Sequence, residues 1–99
     1  MKKGLFIGID NYKNNRLINC VNDATALSAL FAYNDDGTVN FETKELLNEA
    51  ATRSNIRKSI KELFAGNSEM VLLYFSGHGL DDDKDGVIVS VDYSEDDYG

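Results

Sequence analysis

The chain has 99 residues, which is enough for one domain with a modest hydrophobic core and too few for a second domain. Apolar residues make up 42% of it and charged residues 27%, a balance typical of a folded globular protein and not of a disordered one. The formal charge of −7 lies in residues 81–99, which carry eight acidic side chains and one lysine, while residues 1–80 are neutral overall. We therefore expect no nucleic acid and no membrane among the partners, whereas a metal ion or a basic peptide fits this charge.

The chain contains a single cysteine, Cys20, so it forms no internal disulfide and no cysteine-based zinc site by itself. A reducing compartment fits this composition. The basic start MKKG is followed by the short run LFIGI before Asp10, which is too short for the apolar region of a signal peptide. No apolar stretch approaches the roughly 18 residues of a membrane span. We therefore expect a cytoplasmic protein.

The first predicted elements are a strand and a helix. Residues 5–9 (LFIGI) form an apolar run that ends in the polar stretch DNYKNN, which is typical of a strand buried on both faces. From residue 22 onward, apolar side chains recur at helical spacing, with Asp23 placed to act as the N-cap and NDDG at residues 34–37 placed to end the helix. The side chains predicted to line the buried face of this helix are Ala24, Leu27, Leu30 and Phe31.

Further strands flank a second predicted helix. Residues 41–47 predict a strand, Thr52 can cap the helix that follows, and Gly66 suits the left-handed position after that helix ends. The apolar face of this helix comprises Ile56, Ile60, Leu63 and Phe64. Residues 70–75 predict the most hydrophobic strand, and residues 87–91 (VIVSV) predict a fourth. Strands that alternate with helices predict an α/β fold with a parallel sheet and crossover helices.

The only histidine, His78, lies between two glycines at the end of the third predicted strand. In parallel sheets ligands bind beyond the carboxyl ends of the strands, so His78, Asp10 and the helix start at residues 20–23 should share one rim. An imidazole can act there as a general acid or base, and its glycine neighbours leave backbone N–H groups available as oxyanion donors. The alternative is a tight turn that carries a solvated histidine.

Three motifs together resemble a known family. GIDNY, CVNDA and YFSGHG are similar, in this order and at these separations, to the large-subunit half of caspase-like cysteine peptidases, and most similar to the metacaspase branch. The resemblance runs from Leu5 to about Tyr93. It implies a partial three-layer caspase-like fold of the α/β class, with a mostly parallel sheet and flanking helices. Residues 1–99 would then be one incomplete catalytic domain, with its acidic segment at residues 81–99.

The resemblance also implies roles for particular residues. His78 corresponds to the catalytic histidine, and Gly79 to the residue whose backbone N–H helps to hold the oxyanion. Cys20, Asp23 and Ser76 correspond to positions that form the pocket for the arginine or lysine preceding the scissile bond. A carboxylate in that pocket is physically reasonable, because a desolvated cationic side chain needs a paired anion. Helix capping is the competing role for Asp23.

The resemblance does not make Cys20 the nucleophile, although it is the only thiol. In this family the nucleophilic cysteine lies about 50 residues after the histidine, which from His78 is a position beyond residue 99. We therefore expect the chain to be catalytically incomplete and to need as its partner the missing small-subunit half or a second copy of itself. A dyad of Cys20 and His78 is the alternative, and a buried, inert thiol fits position 20 better.

The acidic segment has the spacing of a calcium loop. In DDDKDGVIVSVD at residues 81–92, Asp81, Asp83 and Asp85 take the first, third and fifth positions. An EF-hand needs a helix on each side, whereas strands are predicted here, so a solvated acidic loop of hairpin type is the simpler interpretation. Because many metacaspases are activated by calcium, the resemblance makes Asp85 the best single candidate for a calcium ligand.

Three functions follow from these patterns. The first is a cysteine endopeptidase that cleaves peptide or protein substrates after arginine or lysine, of which this chain is the histidine-bearing half. The second is a non-catalytic caspase-fold module that acts by association, and the third is a calcium-binding domain. An unpaired edge on the third or fourth strand also predicts self-association.

Overall fold

The sheet at the centre of the protein has three parallel strands in the order β2-β1-β3. The computed structural model describes residues 1–81 and 86–94. The strands are β1 (Lys2–Gly8), β2 (Phe41–Leu47) and β3 (Met70–Ser76). Gly8 pairs with Leu47 on one side and with Ser76 on the other, so all three strands end at the same rim.

Two helices connect the strands and cover opposite faces of the sheet. They are α1 (Cys20–Ala32), after β1, and α2 (Arg53–Leu63), after β2 and a short 3-10 helix, Asn48–Ala50. On the α1 side, the rings of Phe6 and Phe31 lie 6.2 Å apart between centroids. On the α2 side, alternate residues of β1 pack in one buried cluster with Ile56 and Leu63. The predicted α/β fold, with a mostly parallel sheet and flanking helices, is therefore confirmed.

β1 is buried on both faces because it lies between the other two strands and between the two helices. Leu5 is 1% exposed, and Phe6 and Ile7 are 0% exposed. Burying a side chain of this size stabilises the fold by about 2 kcal/mol. Because β1 is buried on both faces, its central residues are apolar without interruption.

The N-cap predicted for the first helix is wrong. α1 begins at Cys20, so Asp23 lies inside its first turn, and the N-cap position is Asn19, which makes no side-chain cap. The carboxylate of Asp10 takes the capping role from outside the helix, because it accepts the N–H groups of Cys20 at 2.9 Å and Val21 at 3.2 Å. Capping patterns describe residues next to the helix, so they do not reveal a cap that comes from a preceding loop.

The buried face of α1 also differs from its prediction at one position. Leu30 is 71% exposed, whereas Ser28 is buried at 3% exposure. α1 packs on the sheet through the stripe of Ala24, Ser28 and Phe31, which leaves Leu30 on the outside.

The predictions for the ends of α2 are confirmed. The hydroxyl of Thr52 accepts a backbone N–H of the first turn at 3.2 Å. Gly66 has a φ of 83°, the left-handed conformation that glycine adopts readily after a helix. Phe64, however, lies just beyond the helix and is 61% exposed, so it does not belong to the buried face.

The fourth strand is shorter than predicted and lies outside the parallel sheet. It is β5 (Gly86–Ile88), which pairs in antiparallel orientation with β4 (Gly79–Asp81) and forms a separate two-stranded sheet. The segment between Ser76 and Gly86 is too short for the crossover that a further parallel strand would need, so β5 does not follow β3 as the next parallel strand. β4 ends at the first residue of the calcium-loop pattern at residues 81–92 and β5 lies within that pattern, so strands stand where an EF-hand needs helices, as predicted.

Among residues 1–81 and 86–94, no helix combines the length and the apolar character that crossing a membrane requires.

Candidate active site

The carboxyl ends of β1 and β3 bring two loops together. The N–H of Ile9 donates to the carbonyl oxygen of Ser76 at 3.0 Å, so the pairing of the strands continues to this rim. Beyond it, the loop after β1 contains Asp10 and Tyr12, and the loop after β3 contains His78. Tyr12 contacts His78, and Asp10 contacts the start of α1, so the three segments meet at one rim as the strand order predicts.

A backbone carbonyl holds the imidazole of His78. Its Nε2 lies 2.5 Å from the carbonyl oxygen of Asn15, in the loop between β1 and α1. A carbonyl oxygen only accepts, so Nε2 carries the proton in this contact and Nδ1 is left to exchange a proton with a reacting group. Asn15 has a φ of 58°, a left-handed conformation that asparagine adopts more easily than most residues. His78 is only partly buried, so a substrate can reach its ring.

The ring of Tyr12 lies against the same imidazole. The two ring centroids are 4.5 Å apart, and the ring planes are inclined by 47°. Tyr12 is 5% exposed. Burial raises the pKa of its phenol above the ordinary value, while the hydrogen bond from the backbone N–H of His78 acts in the opposite direction. The phenol therefore keeps its proton at neutral pH and remains a hydrogen-bond donor.

Asp10 fixes the rim to the surrounding elements. Its carboxylate accepts the two N–H groups at the start of α1. Its own backbone N–H and that of Asn11 donate to Oδ1 of Asn48, which follows β2, at 2.9 and 3.1 Å. The ends of β1 and β2 and the start of α1 are thus held together by one carboxylate and one amide.

Cys20 has the environment of an unreactive thiol. Burial raises the pKa of the thiol, a hydrogen bond with the hydroxyl of Ser76 lowers it, and the carboxylates of Asp10 and Asp23 raise it, so that the net pKa is above its ordinary value. A nucleophilic cysteine needs a lowered pKa and an adjacent base. The polar neighbours of this thiol are a hydroxyl and carboxylates, which disfavours the alternative dyad of Cys20 and His78.

The remaining predicted residues of the rim are Asp23 and Gly79. Asp23 is exposed in the first turn of α1, and its charge raises the pKa of the Cys20 thiol. Gly79 is exposed at the start of β4, where an added Cβ would lie 3.6 Å from the carbonyl oxygen of Val87, an ordinary contact. Steric crowding therefore does not require glycine at position 79.

The predicted calcium ligand, Asp85, lies outside the described residues, as does Asp83. Within residues 1–81 and 86–94, no three His, Cys, Asp or Glu side chains are grouped in a way that could hold a metal ion.

Sequence reasoning missed three contributors to the site: the cap formed by Asp10, the ring and hydroxyl of Tyr12, and the carbonyl of Asn15. The motif GIDNY contains the first two, but their partners lie 10 and 66 residues further along the chain. Asn15 acts through its backbone, so its side-chain identity gives no direct signal for the contact.

Comparison with known proteins identifies the family to which the chain belongs. A family model described as a caspase domain matches residues 1–97. A search of curated proteins found no match to the chain. The matched range contains all of the rim residues described above.

Proposed function

Because the chain belongs to the caspase domain family of cysteine peptidases, we propose that it is the histidine-bearing half of a metacaspase-like endopeptidase that cleaves after arginine or lysine. The observation that carries this proposal is the contact between Nε2 of His78 and the carbonyl of Asn15. It orients the imidazole at the rim of the parallel sheet and leaves Nδ1 for proton transfer. The nucleophilic thiol in this proposal belongs to a further segment or to another chain.

The proposed reaction is acyl transfer. His78 first takes the proton of the thiol, and the resulting thiolate attacks the scissile carbonyl carbon. The carbonyl oxygen becomes an oxyanion that accepts a hydrogen bond from the N–H of Gly79, and protonated His78 gives its proton to the leaving amine as the peptide bond breaks. Neutral His78 then takes a proton from water, which attacks the thioester, and returns it to the departing sulfur. His78 therefore acts as a base toward the thiol and the water and as an acid toward the leaving amine and the departing sulfur, through the nitrogen that does not contact Asn15.

The proposed substrate pocket uses Cys20, Ser76 and Asp23. Ser76 and Asp23 both act on the pKa of the Cys20 thiol, Ser76 by lowering it and the charge of Asp23 by raising it, so the three residues belong to one part of the rim. Asp10 fills the capping role that competed with substrate binding at Asp23, which supports the pocket assignment. A carboxylate at this place would pair with the guanidinium or ammonium group of the residue before the scissile bond.

The test uses the polypeptide encoded by the complete gene and peptides that carry arginine, lysine or uncharged citrulline before the scissile bond. We expect cleavage of the arginine and lysine peptides, and a loss of about 100-fold or more in kcat in the His78→Ala variant. Asp23→Asn should raise KM for the arginine peptide, while Asp35→Asn, which removes an exposed charge from a turn, should not. Equal cleavage of the citrulline peptide would contradict the pocket, and no cleavage would contradict the enzyme.

Three finer points belong to the same proposal. Residues 1–99 alone are inactive until the thiol is supplied, and the protein is cytoplasmic, which its single cysteine supports. The acidic segment around Asp85 binds calcium weakly, which the excess negative charge of residues 81–99 supports. NMR shifts of Asp85 and Gly86 during a calcium titration test this last point, and unchanged shifts at millimolar calcium would remove it.

A second function, association without catalysis, is favoured by the edge of β3. Among the described residues, β3 has a strand partner only in β1, and its Met70 and Leu73 are 53% and 42% exposed. The outer strand on the other side, β2, instead exposes the charged side chains Glu42, Lys44 and Glu45, which discourage further pairing. We expect a second copy of the chain to associate through β3. A monomeric mass in light scattering at high concentration would contradict this expectation.

A groove between α2 and the β4–β5 hairpin adds to this second function. It has a volume of about 850 Å³ and an apolar lining that includes Ile56, Ile60, Leu80 and Val87. The sequence that the gene encodes downstream of His78 distinguishes the enzyme from the association module. A downstream Asp-x-Cys segment about 50 residues after His78 supports the enzyme, and the lack of such a segment supports association.

A further inference from the structure

The hydroxyl of Tyr12 has two partners in the interior of the protein. It donates to the carbonyl oxygen of Val89 at 2.8 Å and accepts the backbone N–H of His78 at 2.9 Å. Tyr12 itself belongs to the buried cluster on the α2 side of the sheet. A buried hydroxyl needs such partners, and here they come from segments 66 and 77 residues away in the sequence.

These contacts form a closed ring of three hydrogen bonds. The N–H of Val89 donates to the carbonyl oxygen of His78 at 3.0 Å. The backbone of His78 is thus held on both sides, by the hydroxyl of Tyr12 at its N–H and by Val89 at its carbonyl, and the same hydroxyl closes the ring on Val89. Hydrogen bonds linked in this way strengthen one another in a weakly polar surrounding.

The glycine before the histidine is needed for this arrangement. A Cβ at Gly77 would lie 2.5 Å from the hydroxyl oxygen of Tyr12, which is closer than real Cβ contacts. The hydroxyl can therefore reach the N–H of His78 only because residue 77 has no side chain. The close approach of the Tyr12 hydroxyl therefore explains why residue 77 is glycine, independently of any role in oxyanion binding.

We propose that Tyr12 is a positioning residue for His78: its hydroxyl fixes the backbone of His78, and its ring supports the imidazole in contact with Asn15. The consequence for catalysis rests on the proposed function above. Without the hydroxyl, the loop that carries His78 loses the hydrogen bond that fixes its N–H. The imidazole then spends less time in the orientation that the contact with Asn15 defines.

The first test is NMR spectroscopy of the 99-residue chain, in which His78 is the only histidine and gives unambiguous imidazole signals. In Tyr12→Phe, which keeps the ring, we expect hydrogen exchange of the His78 amide to accelerate about tenfold and the imidazole signals to shift, while amides of β1 keep their exchange rates. The control is Tyr33→Phe, at a tyrosine that is 61% exposed, and it should change neither. Uniform acceleration of all amides, or no change at His78, would overturn the proposal.

A second measurement needs no variant, so it decides the matter even if Tyr12→Phe does not fold. In the unchanged protein, the Tyr12 hydroxyl proton should exchange slowly enough to be seen and should show a nuclear Overhauser effect to the His78 amide proton. The lack of this effect at low temperature would overturn the proposal.

Kinetics of the complete-gene polypeptide separate this proposal from the proposed function. Tyr12→Phe should lower kcat about tenfold with KM unchanged, because it affects the acid/base group and not the substrate pocket. An unchanged kcat would overturn positioning for catalysis. If no variant cleaves any peptide, the proposed function fails, whereas the NMR results still decide whether Tyr12 positions His78.

Discussion

Replacing Gly77 by alanine tests how tightly the loop before His78 is packed. A Cβ at this position would lie 2.5 Å from the hydroxyl oxygen of Tyr12 and 2.8 Å from Cζ of Phe75. Neither ring can retreat freely, because Tyr12 is 5% exposed and hydrogen-bonded to Val89 and Phe75 packs against the core cluster. We expect the free energy of unfolding to fall by about 2 kcal/mol, the usual cost of overpacking, and Tm to fall by about 10 °C for a domain of this size.

The matched control is Gly86→Ala, because a Cβ at Gly86 meets no atom of residues 1–81 and 86–94 within 4 Å. Both variants are measured by urea and thermal denaturation followed by circular dichroism. Adding Tyr12→Phe to Gly77→Ala removes one of the two close contacts, so the double variant should lose less stability than the sum of the single variants. If Gly77→Ala is as stable as Gly86→Ala, or if the two changes are additive, the close packing of this loop is refuted.

Three further predictions concern the helix starts and the thiol. Asp10→Ala removes the acceptor of two N–H groups at the start of α1 and should lower the free energy of unfolding by about 1–2 kcal/mol in urea denaturation; an unchanged midpoint would speak against the cap. Burial raises the pKa of Asp92, but the hydrogen bond from the N–H of Arg53 and the guanidinium charge help to outweigh it, so the net pKa is lowered. Its stabilising contribution is therefore present above about pH 4 and lost as the pH falls through the lowered pKa, and Asp92→Asn should lose less stability on acidification than the unchanged protein. The raised pKa of Cys20 should make its alkylation by iodoacetamide at pH 7.5 slower than that of free cysteine, and Asp23→Asn should accelerate it, as followed by mass spectrometry; a rate equal to that of free cysteine would contradict the environment described.

The parts of the fold that could be predicted are those whose signals are local. The second strand, residues 41–47, agrees residue for residue, because its pattern is bounded on both sides by turn residues. The ends of α2 agree because Thr52 and Gly66 act on the helix next to them. The three parallel strands also follow from local signals, since buried strands separated by helices have few other arrangements.

The parts that could not be predicted depend on contacts between distant segments. The start of α1 is fixed by the carboxylate of Asp10, which lies in the preceding loop. The sequence around Asp23 resembles an N-cap, but Asp23 lies inside the first turn of the helix. At the rim formed by the ends of β1 and β3, the sequence predicted which loops meet, since the parallel strands place them at one edge. It did not predict how His78 is held, because the hydroxyl of Tyr12 and the carbonyl of Asn15 depend on the folded paths of two loops.

The position of β3 also limits where a nucleophilic thiol can come from. His78 follows β3 by two residues, and β1 already occupies one side of that strand. Neighbouring strands lie about 4.8 Å apart, so a side chain at the end of a strand paired with the other edge of β3 can reach the imidazole, whereas one beyond β2 cannot. The proposed catalysis and the proposed association therefore depend on the same edge of β3. A strand that ends in a cysteine there completes the proposed peptidase, and a strand without one leaves the edge of β3 as a surface for association.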